Sequence, residues 1–441
     1  MAEFSGTYCL LNYGCQMNQS DTEHYAGQLE ELGYQKAADF HKADVIVVNT
    51  CCVRESAEKR ILGKIGELKA VKVKNPEVVI CVAGCMAQKD GAKLQKQHPQ
   101  IDLILGTAYV NDFKQVLSDY LEDRKGAAYT NLAIRQSEFE GRQVRQSTFH
   151  AWIPIMYGCN NYCTYCIVPY VRGRERSRSM ENIVAEVKAA VAQGYKEFTL
   201  LGQNVDSYHR ETGDREAFAK LLRVVASIDG VERLHYMTSH PRDMHEAVIK
   251  AVAECPQICE NFHIPFQSGS NEILRRMNRG YTREKYLALI ELIRRYVPEA
   301  SITTDIIVGF PGETEEDFAQ TLDIVSTVGF ASAFTFIYSK RSGTPAARME
   351  NQVPLPVKKE RLNRLMELQN KFSLQYHGRL VGRTVEVLAE GPSKNPEIWQ
   401  GRSRTGTLVL WPAIRDCEIG QKVNIHIDSA QTWLVRGKAV K

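Results

Sequence analysis

Short runs of β-branched and aromatic residues alternate with amphipathic stretches over the first part of the chain. Residues 8–13, 45–49 and 78–83 have strand composition, while 21–32 and 55–71 repeat apolar positions at helical spacing. Strand–helix alternation of this kind predicts a parallel, doubly wound sheet. The pattern ends near Tyr120, and the polar stretch 122–145 predicts a connector. A second region then repeats a βα unit six times, with strands predicted at 153–157, 198–203, 233–238, 261–266, 302–310 and 333–338. The helices between them carry readable caps. Ser179 precedes the helical stretch 180–193, which stops at Gly194. Thr314 with Asp317 three residues on forms a capping box before Phe318, Leu322 and Val325, which share one face.

Six βα units predict an incomplete version of the eight-fold barrel, whose working groups sit in the loops that follow the strands. A helical segment at 357–376 leads into a tail whose short strands, 384–389, 407–411 and 422–427, are broken by Gly, Pro and Asn. Such a segment predicts a small antiparallel barrel from about Gly378. The fold class is therefore α/β. An N-terminal doubly wound parallel sheet (1–122) precedes a central partial (β/α)6 TIM-like barrel (145–376) and a C-terminal small antiparallel β-barrel (378–441).

Composition changes this picture only in part. The 441 residues carry 56 Lys and Arg against 52 Asp and Glu, a formal charge of +4. That balance excludes bulk attraction to a polyanion, so any nucleic-acid site must be a local patch. No apolar run approaches the roughly 18 residues that span a bilayer, and Met1 to Ser5 lack the regions of a signal peptide. The expectation is a cytoplasmic protein with no membrane contact. In that compartment thiols stay reduced, so the 12 cysteines point to metal or catalysis before disulfides.

Cys159, Cys163 and Cys166 form a C-x3-C-x2-C run directly after the first barrel strand. Three thiolates on one loop can hold three irons of a [4Fe–4S] cube and leave the fourth open to a small molecule. Structural zinc wants four ligands, and no fourth Cys or His follows at the usual spacing. A second triad is dispersed. Cys15, Cys51 and Cys85 each lie just beyond the carboxyl end of a predicted strand, where open α/β sheets place ligands. Cys9 and Cys81 fall inside strands and suit the core. Cys52, beside Cys51, is expected to point away from it, and Cys255, Cys259 and Cys417 have no partner at ligand spacing.

The C-x3-C-x2-C run after a first barrel strand resembles the radical S-adenosylmethionine (SAM) superfamily. That resemblance implies reductive cleavage of SAM to a 5′-deoxyadenosyl radical at a cluster held by Cys159, Cys163 and Cys166. SAM contacts then fall to Gln203, Asn204, Ser239 and Gln267, although Gly, Asn and Ser are also ordinary turn residues. More closely, NYGCQMN around Cys15, NTC ending at Cys51 and GC at Cys85 are similar to the N-terminal domain of methylthiotransferases. CNNYCTYCIVPYVRGRERSR (159–178) resembles the branch acting on tRNA N6-isopentenyladenosine beside the anticodon. HIPFQSGSNEILRRMNRGYT (263–282) and TDIIVGFPGETEEDF (304–318) extend the likeness, and the tail resembles a TRAM RNA-binding domain. The resemblance implies two [4Fe–4S] clusters, the auxiliary one on Cys15, Cys51 and Cys85. It also implies insertion of a methylthio group at C2 of the adenine.

Alternatives remain at this stage. The same chemistry could act on N6-threonylcarbamoyladenosine of tRNA or on a ribosomal protein, and a non-catalytic iron–sulfur RNA-binding protein stands as another class. RNA contacts are expected from Arg172, Arg174, Arg176 and Arg178, from Arg402 and Arg404 in the tail, and from a second group, Arg275, Arg276, Arg279 and Arg283. Surface arginines in ion pairs are the competing reading for each. The implied partners are the tRNA anticodon stem-loop, an electron donor such as flavodoxin or ferredoxin, and a sulfur-delivery or cluster-assembly protein.

Overall fold

The computed structural model describes residues 6–52, 55–132, 141–415 and 417–440. Met1 to Ser5, read above for a signal peptide, and residues 133–140 of the polar connector lie outside them. The chain divides into two compact units. One holds 1–146, 157–160 and 167–178; the other holds 147–156, 161–166 and 179–441.

In the first unit the elements run β1 (Gly6–Tyr13), α1 (Gln16–Glu31), β2 (Tyr34–Lys36), β3 (Val45–Thr50), α2 (Glu55–Lys74), β4 (Val79–Gly84), α3 (Cys85–Gln97), β5 (Leu103–Leu105), α4 (Phe113–Asp123) and β6 (Ala127–Tyr129). All strands are parallel, in the order β2-β1-β3-β4-β5-β6. Alternate residues of the central strands feed opposite cores. Ile46, Val48, Ile80 and Val82 pack on one face, and Val45, Val47, Val79 and Cys81 on the other. A sheet covered on both sides has near-continuous apolar strands, which is why these were legible.

Helix α1 begins at Gln16, five residues before the predicted start. Its first turns bury Asn18, Ser20, Asp21, Thr22, Glu23 and His24, so the hydrophobic period is absent where the helix is most enclosed. Strand β6 lies in what composition marked as connector; it is short, half-buried and at the sheet edge.

The second unit is built mainly from β7 (His150–Pro154), β10 (Glu197–Leu201), β11 (Arg233–Tyr236), β12 (Asn261–His263), β13 (Ser301–Val308) and β14 (Ser332–Ile337); the two-residue strand β9 (Arg176–Ser177) belongs to the first unit, and β8 (Met156–Tyr157) stands where the chain passes from one to the other. The six strands form two parallel sheets, β11-β10-β7 and β12-β13-β14. A bridge between Leu234 and Ile258 brings the two sheets together beside β11. Helices α6 (Met180–Ala192), α7 (Ala217–Ala226), α8 (Glu246–Glu254), α10 (Arg283–Tyr296) and α11 (Glu315–Val328) cover this wall, one per crossover, and α9 (Asn271–Arg276) is a short extra turn. The predicted caps are present. Ser179 accepts from the Asn182 N–H, and Thr314 and Asp317 cap α11 reciprocally.

Helix α12 (Leu355–Gly378) leads into a closed five-stranded barrel of β15 (Thr384–Pro392), β16 (Ile398–Ser403), β17 (Leu408–Pro412), β18 (Lys422–Ala430) and β19 (Val435–Ala439). One pairing departs from the antiparallel expectation: β17 and β19 run parallel. The tail packs at the strand N-terminal end of the larger barrel. Arg233, fully buried at the start of β11, donates to the Arg402 carbonyl at 2.8 Å and to Glu386 Oε1 at 2.9 Å. Arg404 forks onto Glu260 at 2.8 and 3.0 Å, and Lys422 pairs with Glu232 at 2.9 Å.

Candidate iron–sulfur and SAM sites

The register of the first sheet explains the dispersed cysteines. Tyr13 pairs with Thr50 and Thr50 with Gly84, so the ends of the adjacent strands β1, β3 and β4 are level. Cys15, Cys51 and Cys85 follow within two residues and share that edge. Gly84 sits at φ +92°, and a Cβ there would lie 2.4 Å from the Thr50 carbonyl, so only glycine fits. Asn18 ties the loops together. Its Oδ1 accepts from the Cys15 N–H at 3.3 Å, and its Nδ2 donates to Asn49 Oδ1 at 3.1 Å and to the Thr50 carbonyl at 3.2 Å. Asn49 Nδ2 returns a bond to the Asn18 carbonyl at 2.8 Å. Cys15 caps α1 and Cys85 opens α3, where helix N-termini favour thiolate.

The thiols themselves are not gathered: among the described residues no three His, Cys, Asp or Glu side chains stand together as a metal site. Cys52, expected to be a bystander, turns its thiol to Cys85. That hydrogen bond, with burial, pushes Cys52 up, and the same bond together with the Arg172 guanidinium pulls Cys85 down. Three thiols on one level edge, at two helix N-termini and beside a buried cation, match an iron–sulfur cluster in kind and number of donors. Cys9 and Cys81 belong to the core, as expected.

The central cysteine segment is shared between the units, 157–160 belonging to the first and 161–166 to the second, and each part is held within its own. Within the first unit, Cys159 donates its N–H to the Gly173 carbonyl at 3.2 Å, and Asn160 and Glu175 exchange bonds at 3.1 and 3.2 Å. In the second unit, Asn278 Nδ2 donates to the carbonyls of Asn161 and Tyr162 at 3.2 and 3.1 Å. Thr164 donates its N–H to the Met277 carbonyl at 3.0 Å and its hydroxyl to the Arg276 carbonyl at 2.9 Å. Arg279, buried, donates to Cys163 Sγ at 3.4 Å and to the Pro265 carbonyl at 2.9 Å. Arg242 reaches Asn161 Oδ1 while gripping Asp243 at 2.9 Å. These partners explain the MNR text at 277–279, whose arginine the sequence alone offers to RNA. Tyr162, Thr238, Gln267 and Asn278 all take positive φ without being glycine. Strained backbone concentrated at one barrel mouth marks a working site.

The residues expected to contact SAM follow strands β10, β11 and β12. Gln203 Oε1, Asn204 Oδ1 and Gln267 Oε1 are buried acceptors with no hydrogen-bond partner among the described residues. Asn204 Nδ2 is anchored on Asp243 at 2.7 Å, and Arg210 also pairs with Asp243 at 2.8 Å. Ser239 is buried beside Asp206. Asp206 accepts the His240 N–H at 2.9 Å, and burial pushes its carboxyl up to about 7. Fixed acceptors and guanidinium donors at these strand ends suit a ligand with an amine, hydroxyls and a carboxylate. Sequence reasoning missed Asp206, Arg210, Arg242 and Asp243; all follow strands β10 and β11, which was the available signal.

The proposed RNA arginines separate. Arg174 is exposed and Arg176 half-buried, but Arg172 and Arg178 are buried, and Arg172 pairs with Asp21 at 3.0 Å. Arg402 is exposed yet bonded to Glu390 at 3.2 Å, and Arg404 is consumed by Glu260. In the second group Arg275 pairs with Glu272 at 2.7 Å, Arg283 pairs with Asp323, and Arg276 holds the Pro311 carbonyl. Arg172, Arg178 and Arg404 are therefore corrected from clamps to internal supports.

A partial parallel barrel with a three-cysteine loop after its first strand defines a radical SAM protein, and the model of the Radical SAM superfamily matches residues 153–325. Residues 7–106 match Uncharacterized protein family UPF0004, and 378–440 match the TRAM domain. Among solved structures, the chain is similar to the radical S-adenosylmethionine methyltransferase TsrM from Kitasatospora setae (TM-score 0.55, 13% identity, 78% of this chain and 74% of that one), a likeness of fold alone. Curated relatives named tRNA-2-methylthio-N(6)-dimethylallyladenosine synthase align almost end to end. The protein of Moorella thermoacetica is 48% identical over 100% of both chains. That of Acetivibrio thermocellus is 47% identical over 98% of this chain and 91% of its own, and that of Clostridium novyi 48% over 99% and 97%. The chain belongs to the tRNA-2-methylthio-N(6)-dimethylallyladenosine synthase family.

Proposed function

We propose that this chain inserts a methylthio group at C2 of N6-isopentenyladenosine next to the tRNA anticodon, with Cys159, Cys163 and Cys166 holding the radical SAM cluster and Cys15, Cys51 and Cys85 the auxiliary one. The observation that carries the reading is the pair of three-thiol sets, each just beyond the carboxyl end of parallel strands. When bound, the two [4Fe–4S] clusters and SAM supply radical generation and the methylthio group. The protein's part is placement. Arg279, Asn278 and Arg242 hold the radical-cluster loop, and Gln203, Asn204, Ser239 and Gln267 offer SAM its polar contacts. The target adenosine must leave its stack to reach the mouth. Arg174 is the exposed arginine nearest that loop in sequence, and the TRAM barrel adds exposed Arg436 and Lys438 for the RNA backbone.

A low-potential donor of the flavodoxin or ferredoxin kind and a sulfur-delivery or cluster-assembly protein complete the system, which fits the cytoplasm, where thiols stay reduced. Among the described residues no helix is long and apolar enough to cross a membrane. Nucleoside mass spectrometry of tRNA incubated anaerobically with reconstituted protein, SAM and a reductant tests the reading. The expected product is 2-methylthio-N6-isopentenyladenosine. Modification of N6-threonylcarbamoyladenosine instead, or of a ribosomal protein, overturns it.

A further inference from the structure

Arg172 closes α5 (Val168–Arg172), whose Val171 packs into the first unit's core and whose carbonyl at Val171 accepts from Thr107 Oγ1. The guanidinium is thus delivered by a packed helix. It lies 6% exposed beside Asp21, itself 4% exposed, on α1. The two join at 3.0 Å through Nη2 and Oδ2. An arginine fork has five donors, and the residue before this one, Val171, packs in the same core cluster as Cys85 and Cys52, so the guanidinium lies within electrostatic reach of Cys85 and Cys15. Both cysteines belong to the N-terminal triad. A buried ion pair is weak evidence for stability, because desolvation offsets its attraction. The pair is better explained by what its unspent donors face.

We infer that the Arg172–Asp21 pair tunes the charge at the N-terminal cysteine triad: Arg172 is a positioning residue that stabilises the more reduced state of the cluster held there, and Asp21 sets how much of its positive charge that cluster feels. The inference rests on the two-cluster reading above. Reduction adds one negative charge to an already anionic cluster, so a cation in a low-dielectric surrounding favours the reduced form. Hydrogen bonds to cluster sulfurs act in the same direction. Asp21 bonds one nitrogen of the guanidinium and cancels part of the field that reaches Cys85.

The test uses full-length protein carrying Cys159→Ala, Cys163→Ala and Cys166→Ala, so that only the N-terminal triad can load. Anaerobic reconstitution is followed by iron analysis and a potentiometric EPR titration of the one-electron reduced cluster. Adding Asp21→Asn is expected to raise the reduced-to-oxidised ratio at fixed potential by about tenfold, about 59 mV for one electron. Adding Arg172→Met to Asp21→Asn is expected to abolish that rise, and Arg172→Lys in its place to retain most of it. A background protein that loads no iron overturns the two-cluster reading and this inference with it. Iron loading with unchanged potential in Asp21→Asn, or an equal rise in the Asp21→Asn/Arg172→Met protein, overturns the inference alone. A folded Asp21→Asn protein that cannot load iron also overturns it, since the pair is then needed for assembly and does not tune.

Discussion

Removing a thiolate from Cys159, Cys163 or Cys166 takes away one of three donors on a loop already held by Gly173, Asn278 and Arg279. Each Ala variant is expected to abolish 5′-deoxyadenosine formation from SAM. Cys15→Ala, Cys51→Ala or Cys85→Ala should instead remove roughly half the bound iron and leave some SAM cleavage, since each cluster holds its own ligands. Anaerobic iron analysis with chromatographic assay of 5′-deoxyadenosine checks both outcomes. Asp206 gives a second, independent readout. Burial raises its carboxyl from 3.8 to about 7. The folded chain therefore keeps a proton that the unfolded chain has lost, so this contribution is complete below pH 4 and is lost as pH rises to 7. Asp206→Asn cannot ionise, and it should match the parent near pH 4 yet be more stable at pH 8 by on the order of 2–4 kcal/mol. Urea denaturation of the metal-free protein at the two pH values measures the difference.

At the scale of elements, the N-terminal site depends on a strand–helix junction more than on any helix's own stability. Strand β4 turns into α3 at Gly84, whose positive φ and closeness to the Thr50 carbonyl leave no room for a side chain. Gly84→Ala must move either Cys85 or the end of β3, at a cost of roughly 2–4 kcal/mol. It is expected to lose the auxiliary iron while the Cys159, Cys163 and Cys166 set still loads and still cleaves SAM. Retention of full iron in that variant would show that the β3–β4 edge does not set the triad. Asn18 works across the same junction. It links Cys15, Asn49 and Thr50, which brings NYGCQMN and NTC to one sheet edge although they stand far apart in the chain. Only the cysteines of those motifs were readable as chemistry. The asparagines became readable once three strands were laid side by side.

For the whole molecule, the TRAM barrel is a bonded part of the second unit. Arg233 is buried on carbonyls of the tail, Arg404 is forked onto Glu260, and His377 bonds the Gln431 carbonyl at 3.0 Å. Truncation near residue 376 would strip Arg233, Glu260 and Glu232 of their partners and uncover the surface that the tail covers. Its effect would mix instability with weakened affinity. Substituting the exposed Arg436 and Lys438 by Ala avoids this. The double variant should cleave SAM normally and bind tRNA more weakly, the log–log salt slope falling by about 0.7 for each phosphate no longer neutralised on single-stranded RNA. Filter binding across a salt series measures it, and unchanged slopes would remove the tail from the RNA interface.

What the sequence determined by itself was whatever is local. The period of apolar residues marks β3, β4 and the six barrel strands, because strands covered on both faces or alternately buried announce themselves within a few residues. The C-x3-C-x2-C spacing suggests one cluster site without any fold at all. The tertiary structure decided the rest. It extended α1 through a buried run of polar residues that no hydrophobic pattern marks, and it moved Arg172, Arg178, Arg279 and Arg404 from the RNA surface to internal partners. An arginine's sequence neighbourhood says that it is charged. Whether it meets a phosphate, Asp21 or the Cys163 sulfur depends on which distant segment packs against it, and that is set by long-range burial.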